Sequence, residues 1–273
     1  MLADAEVFTV PDLPAALAEL AAPVPTTVCA GGTDLVPRLR RGEVTSARVL
    51  LCRRLDELGR ISGGPDGVRI GAAVTYRGIA ESALLAETLP LLRDLSAHLA
   101  NPRVRNRGTI GGHICAARSR YDVLTLLTVL DARAHVSSLR GTRVVPVADF
   151  VVAERRTVLA PDELLVEIEI PMLPAAHAVG FERVGTSQGP VVNVAAWVRP
   201  ELTTVVIGAV GARPIRLEAA GASDVAGLPE QVRAAAHSDE PGLASPWYRA
   251  QVAATLAGRL LSRLRPDGGR ADG

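Results

Sequence analysis

The chain has 273 residues with 30 basic and 29 acidic side chains, and its formal charge of +1 gives no electrostatic case for nucleic acid or an anionic membrane. Hydrophobic residues make up 48% and charged residues 22%, which describes a globular chain, while 3% aromatics argues against an aromatic cage or a base-stacking platform. Cys29, Cys52 and Cys115 lie far apart with no C-x-x-C pair. A self-contained zinc or iron–sulfur site needs about four thiolates, so neither is expected, and an odd, sparse count argues against a secreted disulfide scaffold. Met1 to Glu6 is acidic and opens no apolar run, and no apolar stretch reaches the ~20 residues that span a bilayer, so a cytoplasmic location without a membrane is expected.

In chain order, Phe8-Thr9-Val10-Pro11 reads as a short strand, and Asp12 is placed to cap a helix over residues 15–22 that Pro23 and Pro25 end. Thr26-Thr27-Val28-Cys29-Ala30 is a strand running into Gly31-Gly32, and residues 35–41 form a helical turn after it. Residues 49–52 read as a buried strand and 55–58 as a short helix. A turn at residues 63–67 leads to a strand at 68–70. Helices follow over 79–85 and 89–100, the second stopped by Asn101-Pro102. Residues 123–131 form an apolar helix, and 133–136 with 143–147 form a hairpin. Residues 162–171 alternate Val166, Ile168, Ile170 with Glu167, Glu169, a strand with one wet face on which the glutamates are solvated. Beyond Pro174 the texture changes to three short strands, at 181–184, 191–198 and 203–210, and a helical tail over 225–264 broken at Pro229 and Pro241-Gly242. The end from Arg265 is expected to fray.

Two glycine segments carry the chemistry. Ala30-Gly31-Gly32-Thr33-Asp34-Leu35 joins a strand to a helix, an arrangement that aims backbone N–H groups and a positive helix end at an anion. It lacks the spacing of G-x-G-x-x-G and the Lys-Ser/Thr end of a P-loop, which argues against a Rossmann dinucleotide fold and an NTPase. The second segment runs from Arg105 to Asp122. Its core, Gly108-Thr109-Ile110-Gly111-Gly112, has too little side chain for a helix and too much glycine for an ordinary strand, so it is expected as a tight turn close to something bulky.

Together these segments resemble the FAD-binding (medium) subunit of the molybdenum hydroxylases, of the xanthine dehydrogenase and carbon monoxide dehydrogenase type. That family carries an Ala-Gly-Gly-Thr-Asp-Leu turn, an Arg-Asn-x-Gly-Thr-Ile-Gly-Gly-Asn segment some seventy residues later, and an Asp-Glu-Leu-Leu-x-x-Ile-x-Ile-Pro strand. Here they stand at residues 30–35, 105–112 and 162–171. Arg155-Arg156-Thr157, residues 208–216 and Ser245-Pro246-Trp247-Tyr248-Arg249 resemble further landmarks, so the likeness covers nearly the whole chain.

The resemblance implies an α+β fold: a two-lobed FAD-binding domain of the vanillyl-alcohol-oxidase (PCMH) type, lobes 1–60 and 61–174, followed by an antiparallel sheet-plus-helical domain over 175–273. It implies that Ala30, Gly31, Gly32, Thr33, Asp34 and Leu35 cradle the FAD pyrophosphate. Thr109, Gly111, Gly112 and His113 would support the flavin side, Asp122 would hydrogen-bond the cofactor, Leu164 and Leu165 would pack near its rings, and Arg183 would join the site. No catalytic side chain is required, because the isoalloxazine carries the redox chemistry.

The chain departs from the pattern at His113, where the family has Asn, at Arg118-Ser119-Arg120-Tyr121-Asp122, where it has a small-Pro-x-x-Asp run, and at Arg183, where many members have Lys. Arg118 and Arg120 either lie on a solvated loop or meet the FAD phosphates, a partner or an acidic substrate. The implied function is an FAD-binding electron-transfer subunit. It would receive electrons from an iron–sulfur subunit and a molybdenum-cofactor subunit on separate chains and pass them to NAD, a quinone or another acceptor. The alternatives are a stand-alone flavoenzyme acting on a small metabolite and a non-catalytic module that has lost FAD.

Overall fold

In a computed structural model, residues 5–118, 120–174, 177–186, 189–237 and 243–265 are described. Ser119, the break expected at Pro241-Gly242 and the chain beyond Arg265 lie outside the described residues.

Asp12 starts the first helix as expected, its carboxylate accepting from the Ala15 N–H at 2.8 Å ahead of Leu13–Ala21. That helix and Leu35–Arg40 provide the crossovers that parallel pairing demands. Glu6–Phe8 and Thr26–Cys29 each pair in parallel with the central strand Arg48–Leu51. Leu17, Leu20, Leu50, Leu55 and Leu58 pack together beside this sheet.

The second sheet is antiparallel, in the order Ile61–Gly64, Gly67–Gly71, Leu164–Pro171, Arg133–Ser138, Gly141–Pro146. Leu164–Pro171 is its middle strand, which corrects the expectation of a wet face. Glu169 is only 6% exposed because Arg69 and Arg133 lie opposite it on the two neighbouring strands. Their guanidiniums reach its carboxylate at 3.0 and 3.1 Å, and His135 Nε2 lies 2.9 Å away. Alternation identifies the face of a strand but not how much its neighbours cover. Glu167 keeps more surface and pairs with Arg69 at 2.8 Å.

The residues group into two compact units. The first comprises the chain up to Ala117 with Arg133–Val151 and Arg155–Pro171, and holds both sheets above. The second takes Arg118–Ala132, Val152–Glu154 and the chain from Met172 onward. Its sheet runs Ala178–Thr186, Gly189–Val198, Thr203–Gly208, Ile215–Ala219, each strand antiparallel to the next. The fourth strand was not expected, since Ile215-Arg216-Leu217-Glu218 alternates over too few residues to stand out.

On one face of this sheet Val192, Val194 and Ala196 pack with Leu228, Leu256 and Leu260 of the helices Ala222–Ala235 and Pro246–Leu264. The helix Asp122–Val129 lies against the strands Gly189–Val198 and Thr203–Gly208, where Asn193 faces it. Pro229 does not break the tail as expected. It sits inside Ala222–Ala235, with its ring 3.8 Å from where a Cβ on Gly258 of the neighbouring helix would stand, so packing overrides the local penalty of a missing N–H. The mixture of antiparallel sheets, a small parallel sheet and helices is the expected α+β class.

Candidate functional site

The strand Thr26–Cys29 leads through Ala30 into Gly31, and here the fold leaves no room for a side chain. A Cβ on Gly31 would stand 2.0 Å from the carbonyl oxygen of Arg107. Gly32 follows at φ +72°, the left-handed region that glycine adopts without strain. Its carbonyl accepts from Val36 N–H at 3.0 Å and opens the helix Leu35–Arg40. Among the described residues no acceptor takes the N–H of Gly32 or Thr33, and the Thr33 side chain is exposed. Asp34 meets two guanidiniums, Arg38 at 3.5 Å and Arg155 at 3.4 Å.

The second segment packs onto the first. Arg107 Nε donates to the Gly31 carbonyl at 3.4 Å, and a Cβ on Gly108 would lie 3.3 Å from Thr33 Oγ1. Within the segment the expectation of a non-helical turn is overturned, because Ile110–Cys115 is a short helix. Thr109 caps it, its hydroxyl accepting from Gly112 N–H at 3.1 Å. Gly111 is required by close approach, since its Cβ would fall 2.5 Å from Ala72 Cβ, while its N–H donates to the Ala72 carbonyl at 3.0 Å. Helix propensity, low for two glycines, loses to the cap and to this contact.

His113 lies on this helix with its ring edge-on to Tyr76, centroids 5.3 Å apart. Burial pushes its pKa down to about 3, so the imidazole is neutral at physiological pH. Burial also pushes the Cys52 and Cys115 thiols up to about 12 and raises that of Cys29, against the pull of Arg107, consistent with packing roles. Leu164 and Leu165 are 4% and 3% exposed, and Leu164 belongs to the core with Leu17 and Leu50.

Asp122 and Arg183 belong to the second unit, where they meet directly. Arg183 donates to Asp122 at 2.6 Å, and Asn193 Nδ2 donates to the other carboxylate oxygen at 2.9 Å. Asn193 Oδ1 in turn accepts from Thr125 at 2.7 Å. Burial raises the Asp122 pKa while Arg183 and Asn193 oppose the rise. Asp122 is thus held within its own unit, and half of the Arg183 side chain remains exposed. Arg118 lies with its guanidinium 5.8 Å from the centre of the Tyr121 ring.

The structure therefore brings residues 30–35 together with 107–113 in the first unit and Asp122 together with Arg183 in the second. Sequence reasoning missed Arg107, Arg155, Thr125 and Asn193. Arg107 fills the unspecified position inside the second motif, whereas Arg155 stands in a family landmark that says nothing of Asp34, 121 residues away. Among the described residues no group of three or more His, Cys, Asp or Glu is arranged to hold a metal ion, and no helix is long and apolar enough to cross a membrane.

Residues 4–173 match the family described as FAD binding domain in molybdopterin dehydrogenase. The 6-hydroxypseudooxynicotine dehydrogenase complex subunit alpha of Paenarthrobacter nicotinovorans is 28% identical over 253 residues, covering 86% of either chain. A putative xanthine dehydrogenase FAD-binding subunit of Escherichia coli is 33% identical over 150 residues, 55% of this chain and 51% of that protein. In fold, a chain of the carbon monoxide dehydrogenase of Hydrogenophaga pseudoflava superposes with a TM-score of 0.87 at 24% identity, covering 94% of this chain and 96% of that one.

Proposed function

Because the chain belongs to the FAD-binding domain family of molybdopterin dehydrogenases, we propose that it collects electrons from a separate iron–sulfur chain, fed by a molybdenum-cofactor chain, and passes them to NAD, a quinone or another acceptor. Its cofactor is FAD, and it is the FAD-binding subunit of a dehydrogenase of the molybdenum hydroxylase type. The observation that carries the reading is the closure of two glycine segments on each other, backbone against backbone, around N–H groups of Gly32 and Thr33 that no acceptor takes among the described residues.

The residues fit the cofactor's phosphates. Gly31 and Gly32 keep side chains away from the turn, and the N–H groups of Gly32 and Thr33 with the Thr33 hydroxyl would hold the pyrophosphate. Asp34 would be kept from repelling it by Arg38 and Arg155. Ala30 and Leu35 fix the strand and helix on either side. Thr109, Gly111 and Gly112 would support the flavin side, where neutral His113 offers a hydrogen-bonding ring and no added charge. Leu164 and Leu165 would back the rings from the core. For Asp122 and Arg183 the resemblance is the support, with Arg183 as the exposed group and Asp122 orienting it. Bound FAD supplies the redox chemistry; the chain supplies position and polarity.

Purification from the native host tests the proposal. The expected result is a yellow complex containing iron–sulfur and molybdenum chains, whose flavin absorbance bleaches when the organic substrate is added. A chain that shows no flavin absorbance after reconstitution with FAD would overturn it. Flavin without partner chains would instead mark a stand-alone flavoenzyme.

A further inference from the structure

We infer that Arg155 is a positioning residue that neutralises and tethers the first glycine turn, and so sets its affinity for the phosphates of its ligand; this rests on the reading of Gly31-Gly32-Thr33 as a pyrophosphate cradle. Arg155 stands at φ +60°, a conformation that glycine adopts freely and arginine does not. Its N–H donates at 2.7 Å to the carbonyl of Ala117, itself left-handed at φ +48° just beyond the helix Ile110–Cys115. Its Nη1 reaches Asp34 Oδ2 at 3.4 Å. One residue therefore joins the turn after Thr33 to the chain leaving the His113 helix. What the position uses is the arginine side chain, held there against its backbone preference.

The charge argument gives the tether its consequence. Asp34 follows Thr33 directly, so an uncompensated carboxylate there would repel any phosphate bound at the turn. Arg38, four residues on, supplies one guanidinium at 3.5 Å, and Arg155 supplies the second from a distant segment. A turn fixed before binding also loses less conformational freedom on binding.

The test compares the full chain with Arg155→Gly, Arg155→Lys and the double variant Asp34→Asn/Arg155→Gly by titration with FAD, read as quenching of flavin fluorescence. Arg155→Gly relieves the positive φ, so its melting temperature should hold or rise while its FAD dissociation constant rises about tenfold at low salt. The defect should shrink at about 0.5 M salt, because screening weakens the repulsion from Asp34. Arg155→Lys should recover most of the affinity, and so should the double variant. Unchanged FAD affinity in Arg155→Gly, or a loss that neither salt nor lysine repairs, would overturn the inference. Hydrogen exchange on the flavin-free chain separates it from the reading of the cradle. The Val36 and Arg38 amides, bonded to the Gly32 and Asp34 carbonyls, should exchange faster in Arg155→Gly. A wild type that binds no FAD overturns the cradle; unchanged exchange overturns the tether.

Discussion

Gly31 and Arg107 touch through their backbones: a Cβ on the glycine would lie 2.0 Å from the arginine's carbonyl oxygen. Gly31→Ala should therefore push the two segments apart, with a loss on the order of 1–3 kcal/mol in stability, as for other overpacked sites, and at least a tenfold loss of FAD affinity. Gly64→Ala is the control, since nothing lies within 4 Å of its added carbon, and it should stay within about 0.5 kcal/mol. Urea unfolding and flavin titration of both variants check this.

His113 gives a pH prediction with a definite sign. Its folded pKa of about 3 lies below the ordinary 6.5, so the unfolded chain takes up a proton there that the folded one refuses. The stability it contributes is present in full above pH about 6.5 and is lost as pH falls toward 3, by up to several kcal/mol. Unfolding measured from pH 7 to pH 4 should show a steeper decline for the wild type than for His113→Asn. Equal slopes would mean that the imidazole titrates normally.

Arg183→Ala should leave the buried Asp122 carboxylate with Asn193 as its hydrogen-bond donor. Breaking a fully buried pair typically costs about 3–5 kcal/mol. With half of Arg183 exposed, a smaller loss, about 1–3 kcal/mol, is expected. Arg183→Lys should recover part of it. Denaturant midpoints measure the difference, and an unchanged midpoint for Arg183→Ala would show that Asp122 does not depend on this partner.

Glu169→Ala should be far more damaging than an exposed glutamate substitution such as Glu87→Ala. It removes the carboxylate that Arg69, Arg133 and His135 surround, leaving cations crowded on one sheet face. A loss of about 2–4 kcal/mol is expected, against less than about 0.5 for the exposed site. Thermal melts compared at one pH would show the gap.

Much of the fold was legible because its signals are local. Asp12 caps its own helix, and the glycines at 31 and 32 announce a backbone that admits no side chain. The rest depended on partners far along the chain. Gly111 is helical against its propensity because Ala72 presses on it, and Glu169 is buried because its strand has neighbours on both sides. Pro229 stays within a helix that packs on Gly258. At the candidate site the two motifs could be read as a pair, but Arg155, which links them through Asp34 and Ala117, was legible only as part of a landmark, because its partner Asp34 lies 121 residues away.

The helix Asp122–Val129 is buried at every one of its eight residues, and the strands Gly189–Val198 and Thr203–Gly208 lie over it. A gene fragment stopping at residue 173, where the family match ends, would strip away that cover and leave an apolar rod in water. Such a fragment should aggregate on expression even with both glycine motifs intact. The heritable unit of flavin binding in this chain is thus longer than its signature. Any recombination that trades the motif-bearing half must carry the C-terminal sheet along with it.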